Sequence, residues 1–225
     1  MSDNQFVKLE ANLYRVQKDN ACFHSKYSLL SLDPHSYNIW LAETLLPGTR
    51  LIIEPKIIGV AIALSYEGGH LVKARSKSGL EKRQAIMKNK NVPIQLQIKK
   101  NIEIRGVLYG PNLDGVSSEP LAINFLTKKN QMEEALKFCA FQILNSNQNQ
   151  YQSLKELHKL GFEVPETEFT KFKSEVDLYV QLWREGELFA QYPTDGIVLK
   201  VNSKKLQKQL GGNLNCSKWS YAIRK

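Results

Sequence analysis

Two lysines sit where a lysine is hard to accommodate. Lys56 lies in Glu54-Pro55-Lys56-Ile57-Ile58-Gly59, after the apolar run Leu51-Ile52-Ile53, and Lys200 lies inside Ile197-Val198-Leu199-Lys200-Val201. A charged side chain in an apolar strand loses hydration unless it is paired, so an inward-pointing lysine there is a candidate for chemistry. At a strand end among other cations, a lysine gives up its proton more readily and becomes a nucleophile toward phosphorus or carbonyl centres. Each lysine taken alone also fits a solvated side chain on an edge strand. Two further segments carry charge into apolar strands: Glu103-Ile104-Arg105-Gly106 and Trp219-Ser220-Tyr221-Ala222-Ile223-Arg224. Asp195 opens the Lys200 segment as Asp195-Gly196, where it either positions a charged partner or simply starts the strand through a turn.

These residues need strands to hold them, and the pattern supplies strands. Residues 50–53 read as one. Residues 60–66 and 70–75 read as a hairpin around Gly68-Gly69. Residues 101–109 form another, with Ile102, Ile104 and Val107 buried by alternation around an irregularity at Gly106. Residues 138–144, 195–201 and 219–224 complete the set. Helices are predicted over residues 36–45, 80–89 and 203–210, the last stopped by Gly211-Gly212. An amphipathic helix carries Leu154, Leu157 and Leu160 and ends at Gly161. A second, over residues 174–185, turns Val176, Leu178, Tyr179, Leu182 and Trp183 to one face. Residues 146–152 read as an amide-rich connector. Antiparallel strand pairs alternating with separate helices predict an α+β fold in one domain, without internal repeats.

Composition narrows the function classes. The chain has 225 residues, 42% of them hydrophobic, enough for a real core. Its net charge of +9 favours a polyanionic partner. That charge is clustered: residues 73–105 hold ten basic and two acidic side chains, and residues 200–225 hold seven basic and no acidic ones. Cys22, Cys139 and Cys216 lie far apart, which indicates neither a zinc ribbon nor a disulfide framework and suits a reducing compartment. No export signal or membrane-spanning run is visible, so the expected location is cytoplasmic. Gly211-Gly212 with Ser217-Lys218 lacks the glycine that a phosphate-binding P-loop requires before its lysine.

The four charged segments, in this order, resemble the nucleotide-binding motifs of the adenylation domain of bacterial NAD-dependent DNA ligases, members of the covalent nucleotidyltransferase superfamily. Glu54, Lys56 and Gly59 match the family's Glu-x-Lys-x-Asp-Gly. Residues 193–202 match its Asp-Gly-Ile-Val-Ile-Lys-Val-Asn segment almost throughout, and Leu29-Leu30-Ser31-Leu32-Asp33 resembles its adenine-pocket segment. The likeness runs from about His24 to Arg224 and is weakest between Asn112 and Ala135. It implies the DNA ligase and capping-enzyme fold, with Lys56 attacking the α-phosphate of NAD and holding AMP as a phosphoramidate; ATP is a second candidate donor. It further implies that Glu54, Ser31 and Leu32 face the adenine, that Lys200 sets a positive charge on the α-phosphate, and that Asp195 positions Lys200 or a metal. Gly59, Arg105 and Arg224 complete the nucleotide site, magnesium is the implied ion, and DNA is the implied partner.

The departures from the family pattern are specific. Ile58 stands where the family has aspartate, and Val107 replaces the glutamate of Arg-Gly-Glu. Arg75-Ser76-Lys77-Ser78-Gly79 replaces Thr-Arg-Gly-Asp-Gly, and Arg224 replaces a lysine. The segment before His24 is too short for the family's nicotinamide-mononucleotide-binding domain. The expectation is a single adenylation domain over residues 1–225 with a short extension at 1–23. It would carry no oligonucleotide-binding barrel, zinc finger, helix-hairpin-helix or terminal interaction domain, and would join DNA only with a partner protein. The alternative is a pseudoenzyme that binds nucleotide or nucleic acid without ligation.

Overall fold

The computed structural model describes residues 34–111, 117–127, 136–144, 146–213 and 216–224. Ser31 and Leu32 lie outside the described residues. Ten strands and six helices follow in chain order among those residues: α1 (Pro34–Thr44), β1 (Leu51–Ile57), β2 (Val60–Glu67), β3 (His70–Ser76), α2 (Arg83–Ile86), β4 (Ile102–Tyr109), α3 (Ser118–Thr127), β5 (Lys137–Ile143), α4 (Gln150–Lys159), β6 (Glu168–Thr170), α5 (Lys173–Glu185), β7 (Thr194–Val201), α6 (Lys204–Leu210), β8 (Gly212–Asn213), β9 (Cys216–Ser217) and β10 (Ser220–Arg224).

Two antiparallel four-stranded sheets carry the architecture, the first in the order β10-β7-β1-β6 and the second β3-β2-β4-β5. Each buries one face under helices, as period-two alternation requires. In the first sheet Leu51, Ile53, Ile197, Leu199, Val201 and Tyr221 pack against Trp40 and Leu41 of α1 and Val176 and Trp183 of α5. In the second, Ile62, Leu64, Ile104, Leu108 and Phe138 pack against Phe125 of α3 and Leu154 and Leu157 of α4. The opposite faces meet in a third, smaller cluster, where Val107, Tyr109, Cys139 and Phe141 of the second sheet touch Ile57 and Tyr192. The α+β expectation holds, and no helix among the described residues is long and apolar enough to cross a membrane.

The irregularity beside Gly106 belongs to its partner strand. Arg105 pairs with Gln142 and Gly106 with Ala140, which leaves Phe141 as the extra residue of a bulge in β5. Phe141 keeps the face of Cys139, in the layer between the sheets, and the bulge shifts the phase after it so that Ile143 returns to the helix-covered core. Gly106 itself is required by packing, since a Cβ there would lie 2.3 Å from the Phe138 ring.

Three expectations are corrected. The helix predicted over residues 80–89 shrinks to the four residues of α2, because the Glu81 carboxylate accepts the backbone N–H groups of Ala74 and Arg83 and ties the segment to β3. The amide-rich connector is partly helix: α4 begins at Gln150 with Asn149 as its N-cap, and Gln152 accepts the Asn149 backbone N–H at 3.3 Å, so these amides are capping chemistry. Leu178 is exposed; the buried stripe of α5 is narrower, centred on Val176 and Trp183.

Gly196 offers a test of the first sheet. A Cβ there would stand 2.2 Å from the Ile223 carbonyl oxygen, a backbone atom of the neighbouring strand. Gly196→Ala is expected to lose about 1–3 kcal/mol in urea unfolding, by forcing β7 and β10 apart; unchanged stability would contradict the close strand approach.

Candidate functional site

β7 lies between β10 and β1, so Lys200 is on a central strand and the edge-strand reading is excluded. Ile52 faces Lys200 and Glu54 faces Val198 across the β1–β7 ladder. Residues opposite one another share a face, so Ile52, Glu54, Val198 and Lys200 all point away from the helix-covered core. Lys200 therefore reaches Glu54 along the diagonal, and its Nζ donates to Glu54 Oε2 at 2.6 Å. The side chains are 1% and 2% exposed, a fully buried ion pair. The ammonium also lies 5.0 Å from the centre of the Phe141 ring, a cation–π distance.

Lys56 is two residues beyond Glu54 on the same face. Its Nζ donates to Asp195 Oδ1 at 2.7 Å, and Arg224 Nε stands 3.5 Å from Asp195 Oδ2. The carboxylate is thus bracketed by two cations and remains 37% exposed, so this end of the site is open. β10 places Arg224 opposite Gly196, next to Asp195. Burial pulls the Lys56 pKa below its ordinary value; the hydrogen bond and charge of Asp195 oppose that, and the Arg224 charge reinforces it. The sequence suggested neighbouring cations as the cause; burial is the larger one.

Asp195 does not position Lys200. Five residues of extended strand, roughly 16 Å at 3.3 Å per residue, separate them on β7. Asp195 serves Lys56 and Arg224 instead.

Arg105 is buried, on the face of β4 away from the helix-covered core, opposite Ala63 of β2 and Gln142 of β5. Gly59 lies where the chain turns from β1 to β2, and a Cβ there would lie 2.3 Å from the Leu108 carbonyl, so packing alone demands glycine. The Ile58 backbone is fixed on both sides: its N–H donates to the Pro193 carbonyl at 2.7 Å and its carbonyl accepts from Ser118 Oγ at 2.7 Å. Val107 is buried in the apolar cluster between the sheets. Sequence reasoning missed two residues of the site, Phe141 and Gln150; Gln150 Nε2 donates to Glu54 Oε1 at 3.1 Å. Phe141 is hidden because residues 138–141 are apolar on both faces, and Gln150 sits in a stretch of five amides and a serine that look alike.

Among the described residues no group of three or more His, Cys, Asp or Glu side chains could hold a metal ion. Near Lys56 the donor set includes the Asp195 carboxylate, whose two oxygens already face cations. Such a site fits an ion that arrives on phosphate oxygens and keeps its waters, as magnesium does, and does not form a protein cage.

Residues 123–224 match the NAD-dependent DNA ligase adenylation domain, a span that includes Asp195, Lys200 and Arg224. The DNA ligase of Mycoplasma mycoides subsp. mycoides is 28% identical over 201 residues, covering 78% of this chain and 30% of that protein. The chain therefore spans about 30% of the length of that relative. Among solved structures, Pmar-Lig_PreS3 aligns with a TM-score of 0.54 at 12% identity, over 84% of this chain and 45% of that one. A Lig E DNA ligase aligns with a TM-score of 0.50 at 12% identity, over 78% and 62%. The covalent nucleotidyltransferase fold and the resemblance to the ligase adenylation domain are borne out.

Because the Lys56 pKa is lowered by folding, more of this amine is neutral at any pH below about 10.5 than in an exposed lysine. The pH dependence of Lys56 modification by an amine-selective reagent, followed by peptide mass spectrometry, is expected to show a midpoint below 10.5. Asp195→Asn removes the negative charge that raises the pKa and leaves at most a neutral acceptor, so the midpoint moves further down. A midpoint at or above 10.5, or an upward move in the variant, would contradict the assigned environment.

Proposed function

We propose that the chain is the adenylation domain of a DNA ligase and that Lys56 is its nucleophile. The carrying observation is a buried lysine of lowered pKa, hydrogen-bonded at 2.7 Å to a carboxylate that also faces an arginine. In the step proposed, the neutral Lys56 amine attacks the α-phosphorus of the nucleotide donor. A phosphorus–nitrogen bond forms and the bond to the leaving group breaks, releasing nicotinamide mononucleotide from NAD or pyrophosphate from ATP. The proton lost from nitrogen passes to Asp195, which already accepts it in a hydrogen bond. Arg224 supplies positive charge at the phosphate end. Magnesium would enter with the phosphates and add charge neutralisation there. NAD is the donor assigned, on the strength of the family matched over residues 123–224.

Glu54, Lys200 and Phe141 form the other end of the site. The carboxylate and ring supply the polar and aromatic character that a nucleobase site needs, and both are buried, so a base would be seated against this unit and not between its members. Lys200, held 2.6 Å from Glu54, belongs to this base end, which shifts the phosphate role expected for it toward Arg224. Ser31, Leu32 and Gly59 are carried over from the family likeness as nucleotide contacts, and Arg105 as a cation of the same cleft.

DNA is the proposed partner. Lys73 and Arg75 are exposed on β3, an edge strand of the second sheet, and Lys205 and Lys208 are exposed on α6. The pairing of such an adenylation domain with further ligase modules, on this chain or on a partner protein, is part of the proposal, as is cytoplasmic action in repair or replication.

A second reading, a pseudoenzyme that binds nucleotide without transfer, is favoured by one observation: Val107, at the position of a family glutamate, is packed among Tyr109, Cys139 and Phe141. Intact mass measurement after incubation with magnesium and NAD or ATP separates the two. An AMP adduct that disappears in Lys56→Ala is the expected result; no adduct with either donor, with candidate partners present, supports the pseudoenzyme. For DNA, affinity is expected to fall linearly with salt on logarithmic axes, and absence of binding at low salt would remove that partner.

A further inference from the structure

The Glu54–Lys200 pair has a third partner outside the charged motifs. Gln150, the first residue of α4, is 4% exposed. Its Nε2 donates to Glu54 Oε1 at 3.1 Å and to the Phe141 carbonyl oxygen at 2.9 Å. Two acceptors use both hydrogens of the amide nitrogen, so the amide has a single orientation. Lys200 takes the other Glu54 oxygen. Each oxygen of the carboxylate thus meets one donor, from α4 on one side and β7 on the other, and its plane is fixed.

Gln150 is itself anchored. Its backbone N–H donates to the Asn202 carbonyl at 3.0 Å, and the Tyr151 N–H donates to Asn202 Oδ1 at 3.0 Å, immediately after β7. Through its side chain it joins Glu54 of the first sheet to Phe141 of the second. The Phe141 ring is the one beside Lys200. Amide, ion pair and ring form one unit whose geometry Gln150 determines.

We propose that Gln150 is a positioning residue: it sets the plane of the Glu54 carboxylate relative to the Phe141 ring and thereby the shape of the buried unit against which a purine base is seated. The proposal rests on the nucleotide-binding reading above. Leucine at this position leaves a buried carboxylate oxygen without a donor. Glutamate sets a second carboxylate at about hydrogen-bonding distance from the first, so that one of them must take up a proton. The charged and titratable groups facing this point are Glu54 of β1, Lys200 of β7 and Cys139 of β5. Burial raises the Cys139 pKa, so its thiol stays neutral over the range tested.

The experiment compares Gln150→Glu and Gln150→Leu with the parent chain by thermal unfolding between about pH 5 and pH 8 and by calorimetric binding of AMP. The glutamate pair has a carboxyl pKa raised by folding, so its stability is present at low pH and lost as pH rises. The Tm deficit of Gln150→Glu is expected to be small at the acid end and to widen toward pH 8. AMP affinity is expected to fall about tenfold in Gln150→Leu, the loss of one hydrogen bond to a charged group. In Gln150→Glu it should be weak at the alkaline end and recover at the acid end, where the protonated side chain donates as the amide did. The Lys56 modification midpoint should not move in either variant. A deficit independent of pH, or variants that fold and bind AMP as tightly as the parent at pH 8, would overturn the proposal. If Gln150→Leu does not fold, the acid-end recovery of Gln150→Glu decides alone. A parent chain that binds no AMP, alongside a Gln150→Glu deficit that still widens with pH, would sink the nucleotide reading and leave the placement of the pair standing.

Discussion

The contact on which the site depends is the buried ion pair between Glu54 and Lys200, 2.6 Å apart and shut away from water. Removing two charges from water costs several kcal/mol per ion, which a buried pair recovers only with good geometry and further hydrogen bonds. Here Gln150 supplies the hydrogen bond and the Phe141 ring a cation–π contact. The pair also fixes register. A one-residue slip of either strand turns every side chain to the other face. Such a slip would drive Glu54 or Lys200 into the cluster of Leu51, Ile53, Leu199 and Trp183 without a partner. The β1–β7 register, and with it the direction of Lys56, is therefore secured by a penalty on every alternative.

The same ladder then carries a second ion pair of different character. Glu54 and Lys200 are closed off, whereas Asp195 and Arg224 are about a third exposed and Lys56 lies between these extremes. One end of the site is rigid and dry and the other is accessible. That gradient separates the two roles proposed here: a fixed carboxylate and ring to hold a base, and an amine of lowered pKa, open to a phosphate, to react with it. Small residues let β10 approach β7 closely along this ladder. Gly196 faces Arg224, and Ala222 stands opposite Val198 on the same face.

Much of this was legible in the sequence, for identifiable reasons. The hairpin of β2 and β3 is marked by alternation and by a double glycine, and both glycines adopt positive φ. Lys56 and Lys200 stand out because charge in an apolar run demands a partner. Which partner each finds is a tertiary fact: Asp195 looks like a neighbour of Lys200 in the chain, yet strand geometry carries it to Lys56. Whether Lys200 was solvated depended on the position of β7 in its sheet, which no local pattern encodes. Phe141 was hidden because its strand is apolar on both faces, and Gln150 by a run of amides in which capping and site residues are alike. The helix over residues 80–89 is cut short because Glu81 and Lys82 are tied to β3, Glu81 by accepting the Ala74 N–H and Lys82 by donating its N–H to the Ala74 carbonyl, contacts that no local pattern encodes.

The claim that a single buried pair organises the site is tested most directly by a double-mutant cycle on Glu54→Gln and Lys200→Met, read by urea unfolding. Each single variant leaves an uncompensated buried charge and is expected to lose about 3–5 kcal/mol. The double variant, with neither charge, should lose less than the sum, giving a coupling of about 2 kcal/mol or more. Losses that add to within about 0.5 kcal/mol would show that the two side chains act independently and would contradict the account.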